Sequence, residues 1–159
     1  MEKLDKKDVL VLSSLRQNAR ETLTNISKNT SIPISTIFER MRQHEKSKLI
    51  KGHTAILDFE ELGFNTRAAI LVKAKKGTQN EIKSYLNVHR NVNSIFRINN
   101  GYDFIVEVVF KQIKDVELFI ELLDDRFGAR SHVHFLIEDI KRESFMSNPN
   151  KLELFSPVF

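Results

Sequence analysis

Between residues 66 and 143 the hydrophobic period switches repeatedly between two and about 3.6, and this succession restricts the fold more than any other feature of the chain. Alternation marks a strand from about Arg67 to Lys75, entered through the turn residues Gly63-Phe64-Asn65. Thr78-Gln79-Asn80-Glu81 has the form of a capping box, and Ile82, Tyr85, Leu86 and His89 follow at helical spacing. Strand-like runs at 92–98 and 103–110 flank Asn99-Asn100-Gly101, a tight-turn signal. Val116, Phe119, Ile120 and Leu123 mark a second amphipathic helix, with Phe127 one turn on and Gly128 as its C-cap. A last strand is expected from about His132 to Ile140. Strand, helix, strand, strand, helix, strand is the ferredoxin-like βαββαβ order, in which two helices cover one face of a four-stranded antiparallel sheet.

Two helices leave the other face bare, yet that face is not polar. Phe104, Val106, Val108 and Phe110 alternate with Ile105 and Val109, and Ala69 and Leu71 repeat the two-sidedness. A solvated antiparallel sheet alternates more cleanly than this. A second copy of the chain is therefore expected on the outer face.

The first third is built differently. Asp5 is an N-cap, with Leu4 and Val9 at the positions of a hydrophobic staple, and Val11, Leu12, Leu15 and Ala19 form a stripe. Asn18-Ala19-Arg20-Glu21 ends this helix, Thr22 caps a short second one carrying Leu23 and Ile26, and Pro33 opens a third running to about Lys46. Residues 1–57 hold 11 Lys and Arg against 6 Asp and Glu, a net +5, whereas the remainder is −1. A basic, three-helix head with a short turn before its last helix fits a helix-turn-helix of the winged type, whose third helix enters the major groove of double-stranded DNA. Ser35, Thr36 and Glu39 are then candidates for base contacts, and Arg40, Arg42, Gln43 and Lys46 for further base and phosphate contacts, with Lys48 and Lys51 adding positive charge.

The expected organisation is α+β: a DNA-binding head over 1–52, a linker strand over 53–65, the ferredoxin-like domain over 66–143 and a tail over 144–159 whose apolar end, Leu152 to Phe159, packs on a neighbour or frays. The absence of any cysteine removes thiolate metal sites and cysteine nucleophiles. No run approaches the roughly 18 apolar residues of a membrane span, and no secretion signal is read at the start, so a cytoplasmic protein without membrane contact is expected. His132 and His134 share one strand face but lack a third ligand, and Asp124-Asp125 and Glu138-Asp139 lack a partner acid or nucleophile. No metal, cofactor or enzymatic activity is expected.

The whole succession resembles the Lrp/AsnC (leucine-responsive regulatory protein, feast/famine) family. The resemblance rests on Leu4-Asp5-x-x-Asp8, Val11-Leu12-x-x-Leu15, Ser35-Thr36-Ile37-x-Glu39-Arg40-Met41, the stretch Ile50 to Asp58 closed by Leu62-Gly63, and Gly101-Tyr102-Asp103-Phe104. It implies a transcription regulator that dimerises through its ferredoxin-like domain, assembles dimers into octamers and binds promoter DNA. It also implies a small effector, commonly an amino acid, held near the turn that contains Asn100, Gly101 and Asp103, with His132 and His134 facing the same site. Four departures from the family pattern stand in the head. Ser31 replaces a turn glycine, Pro33 replaces a serine N-cap, Lys48 replaces a post-helix glycine, and His44 replaces a core leucine. They predict a differently shaped end to the third helix and a partly exposed His44, because a buried unpaired ring is costly. They also motivate an alternative: an effector-binding assembly protein with a decayed DNA-binding head.

Overall fold

The structure, a computed structural model, describes residues 4–148, so the expectation for the apolar end of the tail lies outside the described residues. The chain divides into two compact units, Leu57–Asp139 and the described parts of Met1–Ile56 and Ile140–Phe159.

In the first unit, α1 (Lys6–Gln17), α2 (Leu23–Thr30) and α3 (Ile34–Lys46) enclose Val11, Leu15, Ile26, Ile32 and Ile37. Helix α1 starts at a reciprocal capping box: the Asp8 N–H donates to Asp5 Oδ1 at 2.8 Å, and the Asp5 N–H donates to Asp8 Oδ2 at 2.9 Å. It ends at the C-cap Asn18, within the expected exit, and Ala19, expected to finish the apolar stripe, is exposed. Thr22 caps α2 by accepting from the Asn25 N–H at 3.2 Å. Residues 140–148 return to this unit, where the Arg16 guanidinium donates to the Glu143 carboxylate at 3.0 Å and to the Glu143 and Phe145 carbonyls.

The two non-glycine residues that replace family glycines adopt the backbone those glycines would take. Ser31, the C-cap of α2, has φ +57°, and Lys48, after α3, has φ +60°. The expected reshaping of the end of α3 is thus corrected: the shape is kept and an L-residue is held in the left-handed region. That region costs a residue with a Cβ about 1–2 kcal/mol, against a smaller cost from the increased unfolded-state entropy when glycine replaces it. Ser31→Gly and Lys48→Gly are each expected to stabilise the first unit by about 0.5–1 kcal/mol, readable as a higher urea midpoint at unchanged m-value.

No strand forms between Lys46 and Thr66, so neither the linker strand over 53–65 nor a wing is present in the single chain. A strand exists only through hydrogen bonds to a neighbour, and among the described residues no segment pairs with that stretch.

The second unit is the expected ferredoxin-like arrangement. Strands β1 (Thr66–Lys73), β2 (Val92–Arg97), β3 (Phe104–Phe110) and β4 (Arg130–Phe135) form one antiparallel sheet in the order β2-β3-β1-β4, with α4 (Gln79–Val88) and α5 (Ile113–Phe127) on one face. Ala68, Ile70 and Val72 of β1 and Val106 and Val108 of β3 meet Ile82 and Leu86 of α4 and Val116, Phe119 and Leu123 of α5 in the core. Strand β4 stops at Phe135 instead of reaching 140. It pairs only with β1, whose own residues run out beyond the Leu136 N–H to Arg67 O bond of 2.9 Å. Gly128 takes the left-handed cap of α5 as expected, with φ +59°. The capping box of α4 does not form. The Thr78 hydroxyl donates to the Lys75 carbonyl at 3.0 Å instead, because φ −97° and ψ 2° turn it away from the helix N–H groups.

His89 closes α4 against Phe119 and Tyr85, with ring centroids at 4.8 and 5.5 Å, and its Nδ1 accepts the Asn91 N–H at 3.2 Å. Burial, reinforced by the neighbouring Arg90 charge, lowers its pKa below the ordinary 6.5. The unfolded chain therefore binds this proton more readily than the fold does. The stability His89 contributes is complete above about pH 6.5 and is lost as pH falls through that value towards the depressed one. Urea midpoints at pH 7.5 and 5.5 should differ in the wild type and converge in His89→Phe.

Candidate nucleic-acid interface

Helix α3 carries all seven residues expected to contact DNA. Its inner face is Ile37, fully buried, with Met41 partly buried and His44 only 3 % exposed. Ser35, Glu39, Arg42, Gln43 and Lys46 lie on the exposed side, and Thr36 and Arg40 are half-buried at its margin. Pro33 is the N-cap, one residue before the expected place, and provides no side-chain cap.

Arg40 is not free to leave the head. Its guanidinium grips Asp5 through two bonds of 2.9 and 2.7 Å and also donates to Asp8. His44 Nε2 lies 3.0 Å from the same Asp8 oxygen. The partial exposure expected for His44 is corrected: the ring is buried because Asp8, itself 7 % exposed, supplies the partner that makes burial tolerable. The bond from Asp8, with Asp5 adding to it against the cost of burial, raises the Arg40 pKa further above its ordinary value. Burial works against it, yet the Asp8 N–H and the Arg40 guanidinium hold Asp5 below the ordinary carboxylate value. The cluster ties the first turn of α1 to the middle of α3 and so fixes the angle at which α3 is presented. Thr36, Glu39, Arg40, Gln43 and His44 of α3, with Leu4 and Asp8, line an open concavity of about 340 Å³ beside it.

Sequence reasoning took Arg40 for a DNA contact and passed over two acids, an arginine and a histidine at helical spacing. Asp5/Asp8 and Arg40/His44 are i, i+3 and i, i+4 pairs of complementary chemistry on two helices. It also passed over Phe38. That ring is 51 % exposed on the outer side of α3, with the Arg42 guanidinium carbon 5.8 Å from its centroid.

The residues expected to meet an effector fall into two groups. Asn100, at φ +65°, and Gly101, at φ +98°, form the β2–β3 turn, whose two successive left-handed positions suit Asn and Gly. Asp103 stitches that turn to β1: its Oδ2 accepts the Ala74 N–H at 2.9 Å and faces Lys73 Nζ at 3.4 Å. His132 and His134 project from β4 on the far side of β1, with ring centroids 4.8 Å apart. The register places His132 opposite Leu71 and His134 opposite Ala69, on the sheet face that α4 and α5 leave uncovered. Phe96, Ile105, Leu71 and His132 thus form one row across all four strands of that face.

A basic three-helix unit whose third helix presents polar side chains, followed by a βαββαβ sheet domain, defines a class of two-domain helix-turn-helix protein. The Lrp/AsnC ligand binding domain family matches residues 67–145. The HTH-type transcriptional regulator FL11 of Pyrococcus horikoshii is 34 % identical over 120 residues, covering 76 % of this chain and 80 % of that protein. The solved structure of Bacillus subtilis LrpC superposes with a TM-score of 0.81 at 22 % identity, covering 88 % of this chain and 99 % of that one. The transcriptional regulator NMB0573 of Neisseria meningitidis, solved as a complex with L-Met, also gives 0.81, at 21 % identity and 88 % and 94 % coverage. The chain belongs to the Lrp/AsnC family.

Proposed function

We propose that this protein is a sequence-specific, DNA-binding transcription regulator of the Lrp/AsnC type, modulated by a small effector such as an amino acid. The observation that carries the reading is α3: a rigidly held helix after a short turn, with Ser35, Glu39, Arg42, Gln43 and Lys46 on the exposed side of a unit whose sequence is net basic. The relative named as a transcriptional regulator and the L-Met complex of a structural neighbour support its two halves. Ser35, Thr36, Glu39 and Gln43 meet base edges; Arg42 and Lys46 meet phosphates or guanine. Arg40 acts through the head, as the clamp that orients α3. The decayed-head alternative keeps only Pro33 of its four motivating departures, since Ser31 and Lys48 adopt left-handed backbone and His44 has a partner.

On the same reading, the outer sheet face is where two copies meet, dimers assemble further, and the effector lies near Asn100, Gly101 and Asp103 with His132 and His134. Among the described residues no helix is long and apolar enough to cross a membrane.

The test is binding to the DNA upstream of the protein's own coding sequence against scrambled DNA of equal length, between about 50 and 200 mM salt, where phosphate-driven affinity falls steeply. Preference for the upstream fragment that survives the higher salt is expected. In Lys46→Gln the slope of log affinity against log salt should shrink by about 0.9, one phosphate contact. Equal binding to both fragments, vanishing with salt, would overturn the reading.

A further inference from the structure

The exposed side of α3 is not uniformly polar. Ile34 is 45 % and Phe38 51 % exposed, and with Arg42 they stand at successive steps of four, in one row along the helix. The core of the first unit takes Ile37 and, in part, Met41 from α3, so this row has no role in holding the helix to the head. The Arg42 guanidinium carbon lies over the Phe38 ring, 5.8 Å from its centroid, a cation–π contact that holds the arginine against the aromatic side chain. An apolar pair with a steered arginine behind it, flanked by Ser35 and Glu39, has a specific complement in the major groove. The groove edge of a base pair offers one apolar group, the C5-methyl of thymine, and arginine pairs with the O6 and N7 of guanine.

We propose that Phe38, backed by Ile34, is a specificity-determining residue that reads thymine methyl groups, and that it aims Arg42 at the neighbouring base pair. The proposal rests on the DNA-binding reading above and deepens it. Base recognition then comes from an apolar contact as well as from the hydrogen-bonding side chains. The occupant of the row is DNA and not protein because the surrounding residues 1–57 carry 11 basic against 6 acidic side chains, which complements a polyanion.

The experiment uses the full chain. A preferred duplex is selected from a random pool, and each thymine in it is then replaced singly by 2′-deoxyuridine, which removes only the C5-methyl. For the wild type, one or two positions per half-site should weaken binding about fourfold, the factor for burying one methyl-sized group. Phe38→Ala should bind thymine and uracil duplexes alike at those positions, with an unchanged salt slope because no charge is lost. Phe38→Leu, which keeps an apolar tip, should retain part of the preference. Circular dichroism should show both variants folded, as the exposure of the ring requires. Selective binding with no uracil effect in the wild type, or the same uracil effect in Phe38→Ala, overturns the proposal and leaves the regulator reading standing. A change of assembly size in Phe38→Ala with DNA preference intact would make the row a contact between copies and also overturns it. Failure to select any duplex overturns both readings together.

Discussion

Arg40→Ala is expected to destabilise the first unit by about 2–3 kcal/mol, and to do so without DNA present. Removing one partner of a buried ion pair typically costs about 3–5 kcal/mol, because the surviving charge stays desolvated. The Arg40 side chain is 22 % exposed and Asp8 keeps its contact with His44, so the lower part of that range, or slightly less, applies. Asp8 is the group left in difficulty, with a side chain only 10 % exposed and its two side-chain neighbours reduced to His44, beside the Asp5 N–H. Hydrogen exchange of the α1 and α3 amides, with urea unfolding as the global measure, reads the loss. Asp8→Asn in the Arg40→Ala background should recover part of it by removing the stranded charge. Wild-type stability in Arg40→Ala, combined with a salt slope smaller by about 0.9, would show that Arg40 serves DNA and not the head.

In the proposed dimer, Leu71→Glu is expected to have the larger effect. Leu71 is at the centre of the uncovered sheet face, between Ile105 on β3 and His132 on β4, and no charged side chain stands in its row. In a twofold assembly each substitution enters the interface twice. Burying an unpaired carboxylate, or placing two like charges together, costs several kcal/mol. A weakening of the dimer by at least about a hundredfold, roughly 3 kcal/mol, is expected by sedimentation velocity. The inner face of β1 is untouched, so the monomer keeps its sheet and its helical signal. A variant that sediments like the wild type would remove the outer face from the assembly. DNA affinity should fall with the dimer, since two recognition helices bind one palindromic site far better than one.

Much of the fold was legible because it depends on local patterns. The five helices and four strands of the described residues sit where periodicity, Asp5, Thr22 and Gly128 put them, and the Asn100-Gly101 turn forms where two left-handed residues are tolerated. The failures have a common origin. The box at Thr78 did not form because its hydroxyl turns to the Lys75 and Phe127 carbonyls instead, and β4 ended early because β1, its neighbour among the described residues, ended. The stretch 53–58 has strand composition, yet pairing is a property of two segments and the described residues supply one.

The candidate DNA interface divides in the same way. That α3 is the candidate recognition helix, and that Ser35, Glu39, Gln43 and Lys46 face outward, follows from the order and spacing of residues. Whether Arg40 points to DNA or to Asp5 and Asp8, whether His44 is buried, and whether Phe38 remains outside the core depend on how two helices meet. Side chains 32 to 36 positions apart in the chain decide these outcomes by distance, and no one-dimensional period records that distance. Sequence by itself determined the class of fold and the helix that carries function; only the tertiary structure decided which of its charged residues is a strut and which aromatic is left to meet a partner, because those roles depend on desolvation and contact.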